Sequence, residues 1–253
     1  MRGIWVININ KWKHYAIIVV AALFTASWLY IERENLPVFT TPEGPQAFYK
    51  AEIDDPKVAL TFNVSWGEHR LEPVIEVLQD KKIDQATFFV SASWAEKYPD
   101  LVEKISEAGY TIGSHGYRYE NYADWDDESV RRDMQRSKQV IEELTGSRPT
   151  LLRPPNGSFS QKTLELAEQQ DLDLIHWSVN SQDYENPGTD AIVQTTLENT
   201  NPGEVLMFHA SDSVKQTDKA LPVIIDQLEQ ENYTFVSIEE LMESAEAQSE
   251  EVE

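Results

Sequence analysis

The stretch Tyr110–His115 reads YTIGSH, an apolar run that closes on a histidine. Three further runs share its form. Leu151–Asn156 (LLRPPN) carries Arg153, Leu174–Asp183 (LIHWSVNSQD) closes on an aspartate, and Val205–His209 (VLMFH) closes on another histidine. Short apolar runs of this kind read as buried strands. Strands alternating with helical patterns specify a parallel α/β sheet or barrel. In such folds, sites gather at the carboxyl ends of the strands. Four chemically distinct polar residues at four strand ends therefore mark a candidate site.

Outward from these runs, strands are predicted over 58–64, 86–91, 110–115, 150–153, 172–179, 204–209 and 233–237. Helices are predicted between them over 71–82, 94–108, 126–144, 160–170, 190–198 and 215–230, with a last one over 238–247. About seven strands alternating with helices in some 200 residues favour a small, distorted (β/α) barrel. An open doubly wound sheet is the alternative. It lacks the G-x-G-x-x-G fingerprint of a dinucleotide site after the first strand.

The composition narrows the classes. The chain has 253 residues, 41% hydrophobic and 10% aromatic, with no cysteine. A disulfide framework and a thiolate metal site are therefore excluded. Against 21 basic residues stand 44 acidic ones, a net charge of −23. Such a surface repels phosphates and argues against nucleic acid as a partner.

The N-terminus reads as a separate unit. Ala16–Leu29 (AIIVVAALFTASWL) carries no charge; Lys11 and Lys13 precede it, and Glu32 and Glu34 follow. Basic before and acidic after places the N-terminus in the cytoplasm and the rest outside. The expected organisation is a cytoplasmic flank over 1–14 and a transmembrane signal-anchor helix over 15–31, the latter in the cell membrane. A linker follows over 32–57, then the catalytic-type domain over 58–241 and an acidic tail over 242–253. A cleaved signal peptide is the competing reading, but bulky Trp28, Leu29, Tyr30 and Ile31 occupy the place of a small-residue cleavage site.

Five segments occur in order: TFNVSWG (Thr61–Gly67), GSHGYRY (Gly113–Tyr119), LLRPPNG (Leu151–Gly157), HWSVNSQDY (His176–Tyr184) and VLMFHAS (Val205–Ser211). Their order and spacing resemble the five motifs of the polysaccharide deacetylase (NodB-homology) family over about 58–241. SWGE, HGYRYENY, RPPNG and FHASDS are most similar to its PdaB-like sporulation subgroup. The resemblance implies hydrolysis of N-acetyl groups from amino sugars of cell-wall or spore-cortex glycan. It also implies a divalent metal, usually zinc, held by one Asp and two His, with a second Asp as general base and a late His as general acid.

Carried over residue by residue, the resemblance makes Asp183, His209 and Arg153 catalytic, with Asn63 at the position of the base. Pro155, Asn156, Trp177 and Leu206 fall at substrate-binding positions, and His115 at a metal position. The departures are chemical. Asn63 cannot accept a proton as a base, Val64 cannot ligate a metal, and Tyr119 stands where the second His belongs. Glu68 and His69 are candidate substitutes. Arg153 would pair with a nearby carboxylate such as Asp183. Trp66, Trp94, Trp125, Tyr117, Tyr119 and Tyr122 are candidates to stack on sugar faces. Two outcomes follow: a deacetylase with a rebuilt site, or a descendant that binds glycan or scaffolds the spore envelope without hydrolysing it.

Overall fold

The structure is a computed structural model that describes residues 40–41 and 44–251. The predicted anchor at 15–31 lies outside the described residues. Among those residues, no helix is long and apolar enough to cross a membrane.

The parallel strands are β1 (Lys57–Val64), β2 (Thr87–Val90), β3 (Thr111–Ser114), β4 (Leu151–Leu152), β5 (Asp173–Leu174), β6 (Val179–Asn180), β7 (Val205–His209) and β8 (Thr234–Phe235). Their spatial order is β5-β4-β3-β2-β1-β7-β6, with β8 paired to the start of β1. The helices are α1 (Leu71–Asp80), α2 (Ala92–Lys97), α3 (Pro99–Glu107), α4 (Asp127–Thr145), α5 (Gln161–Glu168), α6 (Thr189–Asn199), α7 (Thr217–Gln230) and α8 (Ile238–Glu251).

Three predicted elements differ from the structure. The helix expected over 94–108 is two helices, because Pro99 starts α3 and forces Tyr98 before it out of helical geometry (φ −129, ψ 59). The last helix continues to Glu251, since the tail is made of helix-forming Glu, Ala and Gln without Gly or Pro. The strand expected over 172–179 is split into β5 and β6.

That split proves the curvature. β5 and β6 are the two ends of the sheet order, yet five residue steps join Leu174 to Val179. Those steps span at most ~18 Å, whereas a flat seven-stranded sheet would hold its edges ~29 Å apart. The sheet must curl into a distorted barrel. Residues 48–51 fill the seam. Phe48 donates its N–H to Leu174 O (2.9 Å) and accepts from His176 N (2.7 Å), and Ala51 N donates to Gly203 O (2.8 Å). Gly203 sits at φ +83, and a Cβ there would lie 1.9 Å from Ala51 O, so this seam requires glycine.

Strand parity sorts the interior. Phe62, Val64, Phe88, Leu206 and Phe208 point outward into the core beneath the helices. Ala59, Phe89, Leu151, Ile175 and Val205 form an inner apolar floor, closed by Ile238 and Leu241 of α8. Above that floor, by the period of two, come Thr61 and Asn63 of β1 and Met207 and His209 of β7. The fold thus lifts polar side chains to the carboxyl ends of the strands.

Candidate functional site: a cleft above the barrel

A cavity of about 610 Å³ opens there, lined among others by Asn63, Ser65, Tyr119, Asn156, Trp177, Asn180, Met207, His209 and Ser211. Trp66 and Tyr184 also line it and are 68% and 46% exposed. Large exposed aromatics at the edge of a polar cleft suit the apolar faces of sugar rings.

Asp183 and His209 meet as the sequence suggests. His209 Nδ1 donates to Asp183 Oδ1 (2.7 Å) and its backbone N–H donates to Oδ2 (2.8 Å). Thr217 Oγ1 donates to the same Oδ2 (2.7 Å). The carboxylate is fully buried, and it fixes the imidazole so that Nε2 is the nitrogen left for the cleft.

Arg153 does not pair with Asp183. Its Nη1 donates to Thr61 Oγ1 (2.9 Å) and Asn63 Oδ1 (3.0 Å), its Nη2 to His176 O (2.9 Å) and its Nε to Ile175 O (3.4 Å). The guanidinium stacks on Phe89, 4.2 Å from the ring centroid. It is fully buried with only neutral acceptors, and burial lowers its pKa to about 9. Asn63 is therefore a side-chain partner of Arg153. Its Nδ2 donates to Met207 Sδ (3.4 Å).

The metal positions do not come together. Val64 points into the outer core and is fully buried. His115 donates from Nδ1 to Arg153 O (2.7 Å), which leaves Nε2 as its bare nitrogen; that atom is buried without a hydrogen-bond partner. Tyr119 stands edge-on to the His115 ring at 5.0 Å, and its phenol bonds to Ser65. His69 and Glu68 are exposed at the start of α1, where Asp212 accepts from the backbone N–H groups of both. Among the described residues, no three His, Cys, Asp or Glu side chains gather as a metal group. One neutral nitrogen, a valine and a phenol do not fit zinc.

Burial lowers His115 from the usual imidazole range to about 3. Its folded pKa lies below the unfolded value of about 6.5, so the unfolded chain binds the extra proton in that window. Stability from this residue is complete above about pH 6.5 and is lost as pH falls toward 3. His115→Gln is expected to gain relative to the parent by roughly 2–3 kcal/mol between pH 7 and 4.5. Denaturant melts at the two pH values measure this; parallel losses in both proteins would disprove it.

The substrate positions divide. Asn156 lines the cleft at φ +55 and is held by its Nδ2 donating to Asn121 Oδ1 (2.9 Å). Trp177 also lines it, stacked on His176 at 3.9 Å. Leu206 does not line it. Its odd-numbered neighbours Val205, Met207 and His209 face the interior, so Leu206 is fully buried on the helix side and Met207 takes the cleft. Pro155 is buried in the 3-10 turn 155–157 beneath Asn156. Of the aromatic candidates, Trp66 and Tyr119 line the cleft. Trp94 is buried, donating Nε1–H to Gly67 O (2.7 Å). Tyr122 is buried against Asp133, and Tyr117 and Trp125 line a separate cavity.

Asn180, Tyr184, Met207 and Ser211 are cleft residues that the sequence reading did not single out. Only strict parity from His209 would have found Met207. Asp133 was also missed. From α4 it accepts from Tyr117 N (2.7 Å), Arg118 N (3.2 Å) and Tyr122 Oη (2.8 Å), and so holds the loop that places Tyr119, itself at φ +59.

Residues 50–175 match the family model described as polysaccharide deacetylase. YlxY of Bacillus subtilis, an uncharacterised protein, is 27% identical over 199 residues, covering 79% of this chain and 61% of its own length. This chain thus spans less than two thirds of that relative. A peptidoglycan-N-acetylglucosamine deacetylase of Bacillus cereus is 28% identical over 191 residues, 75% of this chain and 69% of that protein. Among solved structures, a CE4 family pseudoenzyme from Bacillus anthracis superposes with a TM-score of 0.75 at 27% identity, covering 79% of this chain and 70% of that one. A mutant of that pseudoenzyme, described as having restored enzymatic activity, matches equally well, with a TM-score of 0.75.

Proposed function

We propose that this chain, which belongs to the polysaccharide deacetylase family, binds amino-sugar chains of the cell wall or spore cortex without metal-dependent hydrolysis. One observation carries the reading. The positions of base and metal hold Asn63 bonded to Arg153, Val64 turned into the core, and Tyr119 beside a lone His115. The cleft itself is kept, with aromatic edges and neutral hydrogen-bonding groups that suit acetamido sugars. The similarity to a CE4 pseudoenzyme supports it. The resemblance to the sporulation subgroup supports spore-cortex glycan as the ligand, and the apolar segment 15–31 supports a membrane tether that holds the domain outside the cell.

A second reading rests on the Asp183–His209–Thr217 network, which presents an imidazole Nε2 to the cleft as a proton donor or acceptor. It predicts residual acetyl hydrolysis. The test uses the full chain, recovered from membranes, with insoluble peptidoglycan and chitin oligomers. The expected result is retention on glycan in a chelator, no stoichiometric zinc by elemental analysis and no acetate released with added zinc or cobalt. Asn63→Asp alone is expected to leave the zinc content unchanged, since Val64 and Tyr119 remain. Acetate release abolished by His209→Ala would establish the second reading. One zinc per chain would overturn the first, and recovery in the soluble fraction would remove the tether.

A further inference from the structure

The segment His115–Tyr122 (HGYRYENY) is only partly spent on the cleft. Tyr119 lines the cleft, whereas Tyr117, Arg118 and Glu120 line a second cavity of about 490 Å³. Neighbouring residues of one loop thus face two cavities. The same loop meets the cleft again where Asn156 Nδ2 donates to Asn121 Oδ1 (2.9 Å). The second cavity has the size of a ligand pocket. Its other wall is one face of α4, with Ser129, Arg132, Asp133 and Arg136 at helical spacing, and Trp125 stands before that helix.

Net charge does not choose the occupant. Three arginines line the cavity against four acidic side chains, so a simple anion finds no excess of positive potential. Most of these charges are already engaged. Asp133 accepts from Tyr117 N, Arg118 N and Tyr122 Oη. Asp126 caps α4 through Ser129, Asp124 accepts from Asn121 Nδ2 (3.2 Å), and Arg136 pairs with Glu96. Three charged groups are left open. The Arg118 guanidinium lies over the Trp125 ring, 5.9 Å from its centroid, and forms no ion pair among the described residues. Arg132 lends an Nη2–H to Ser129 Oγ (3.3 Å) and meets Asp126 only by longer-range attraction. Glu120 is exposed and forms no ion pair among the described residues.

Two open guanidinium forks beside one open carboxylate call for a ligand that brings both signs. A fork takes a carboxylate through two parallel N–H donors, and Glu120 can accept from an ammonium. The aromatic faces of Tyr117 and Trp125 suit an aliphatic body. Resting on the glycan-binding reading above, we infer that this cavity is a second ligand site that takes a short peptide carrying both carboxylate and ammonium groups, the chemistry of the peptide branches of wall glycan. The shared loop allows a glycan strand in the cleft to present its branch to the second cavity.

The test is calorimetric titration of the full chain with three peptides. They are Ala-Glu-Lys-Ala with free ends, acetyl-Ala-Glu-Gln-Ala, which keeps both carboxylates but has no ammonium, and the uncharged acetyl-Ala-Gln-Gln-Ala amide. The first is expected to bind about tenfold tighter than either of the others. Arg132→Gln, an exposed change on α4, is expected to remove that preference. Equal binding of the uncharged peptide overturns the inference, and so does equal binding of the acidic one, since the cavity would then not read both signs. A preference that survives Arg132→Gln overturns it as well, because it then arises elsewhere. The neutral tetramer of N-acetylglucosamine reads the cleft separately. Failure of the tetramer removes the glycan-binding reading, whereas failure of the peptides with the tetramer still bound overturns this inference alone.

Discussion

Asp183→Ala is expected to lower the unfolding free energy by about 3–5 kcal/mol, the range for breaking a buried charge-assisted network from one side. Three donors lose their acceptor together: the His209 imidazole, the His209 backbone N–H and the Thr217 hydroxyl. The carboxylate is fully buried, so no bulk water replaces it without a rearrangement. The damage reaches beyond the site, because these bonds tie the turn after β6 to the end of β7 and to the first residue of α7. Asp183→Asn retains one acceptor oxygen but points an amide NH₂ at a donor, so it recovers only part of the loss. Thr217→Val removes a single bond and should cost about 1 kcal/mol. Urea titrations at pH 7 with unchanged m-values measure all three. A loss below about 1 kcal/mol for Asp183→Ala would show that the network is replaceable and does not hold the strand ends in place.

The strands were legible because parallel strands are buried on both faces and so read as unbroken apolar runs. Their polar last residues were legible because those runs end abruptly at His115, Asp183 and His209. The hinge within 172–179 was not. Ile175 and Trp177 suit a strand, and only closure of the barrel demands that the segment leave one edge and join the other. Arg153 shows the same limit. Its burial follows from its place in an apolar run, but its choice of Asn63 and Thr61 over Asp183 depends on which strands become neighbours. Asp133 was hidden differently. An aspartate inside the charged helix α4 reads as a solvated residue, and the three donors it satisfies lie 11 to 16 residues away in a loop. Phe48 and Ala51 were masked by the prolines around them, though each is nearly fully buried in the barrel seam.

Arg153→Ala should be at least as damaging as Asp183→Ala, at about 4–5 kcal/mol, since it empties the largest fully buried side chain and leaves four acceptors unmatched. The informative comparison is with Asn63→Asp. An aspartate at this position would face Nη1 at the distance that Asn63 Oδ1 now has, 3.0 Å, and give the cation a counter-ion. In the parent background we expect Asn63→Asp to stabilise by about 1–2 kcal/mol at pH 7, as the new attraction exceeds the cost of burying one more charge beside a charge already buried. The adjacent guanidinium holds this carboxyl below its unfolded-state pKa. The gain is therefore complete above that unfolded value and disappears as pH falls through the folded one. In an Arg153→Met background the sign reverses, because the carboxylate is then the buried ion without a partner. The cycle formed by the parent, Asn63→Asp, Arg153→Met and the double variant should give a coupling of about 3 kcal/mol or more at pH 7. It should be far smaller in acid, where the carboxyl is neutral. A coupling below about 0.5 kcal/mol at pH 7 would mean that Arg153 already has its charge balanced.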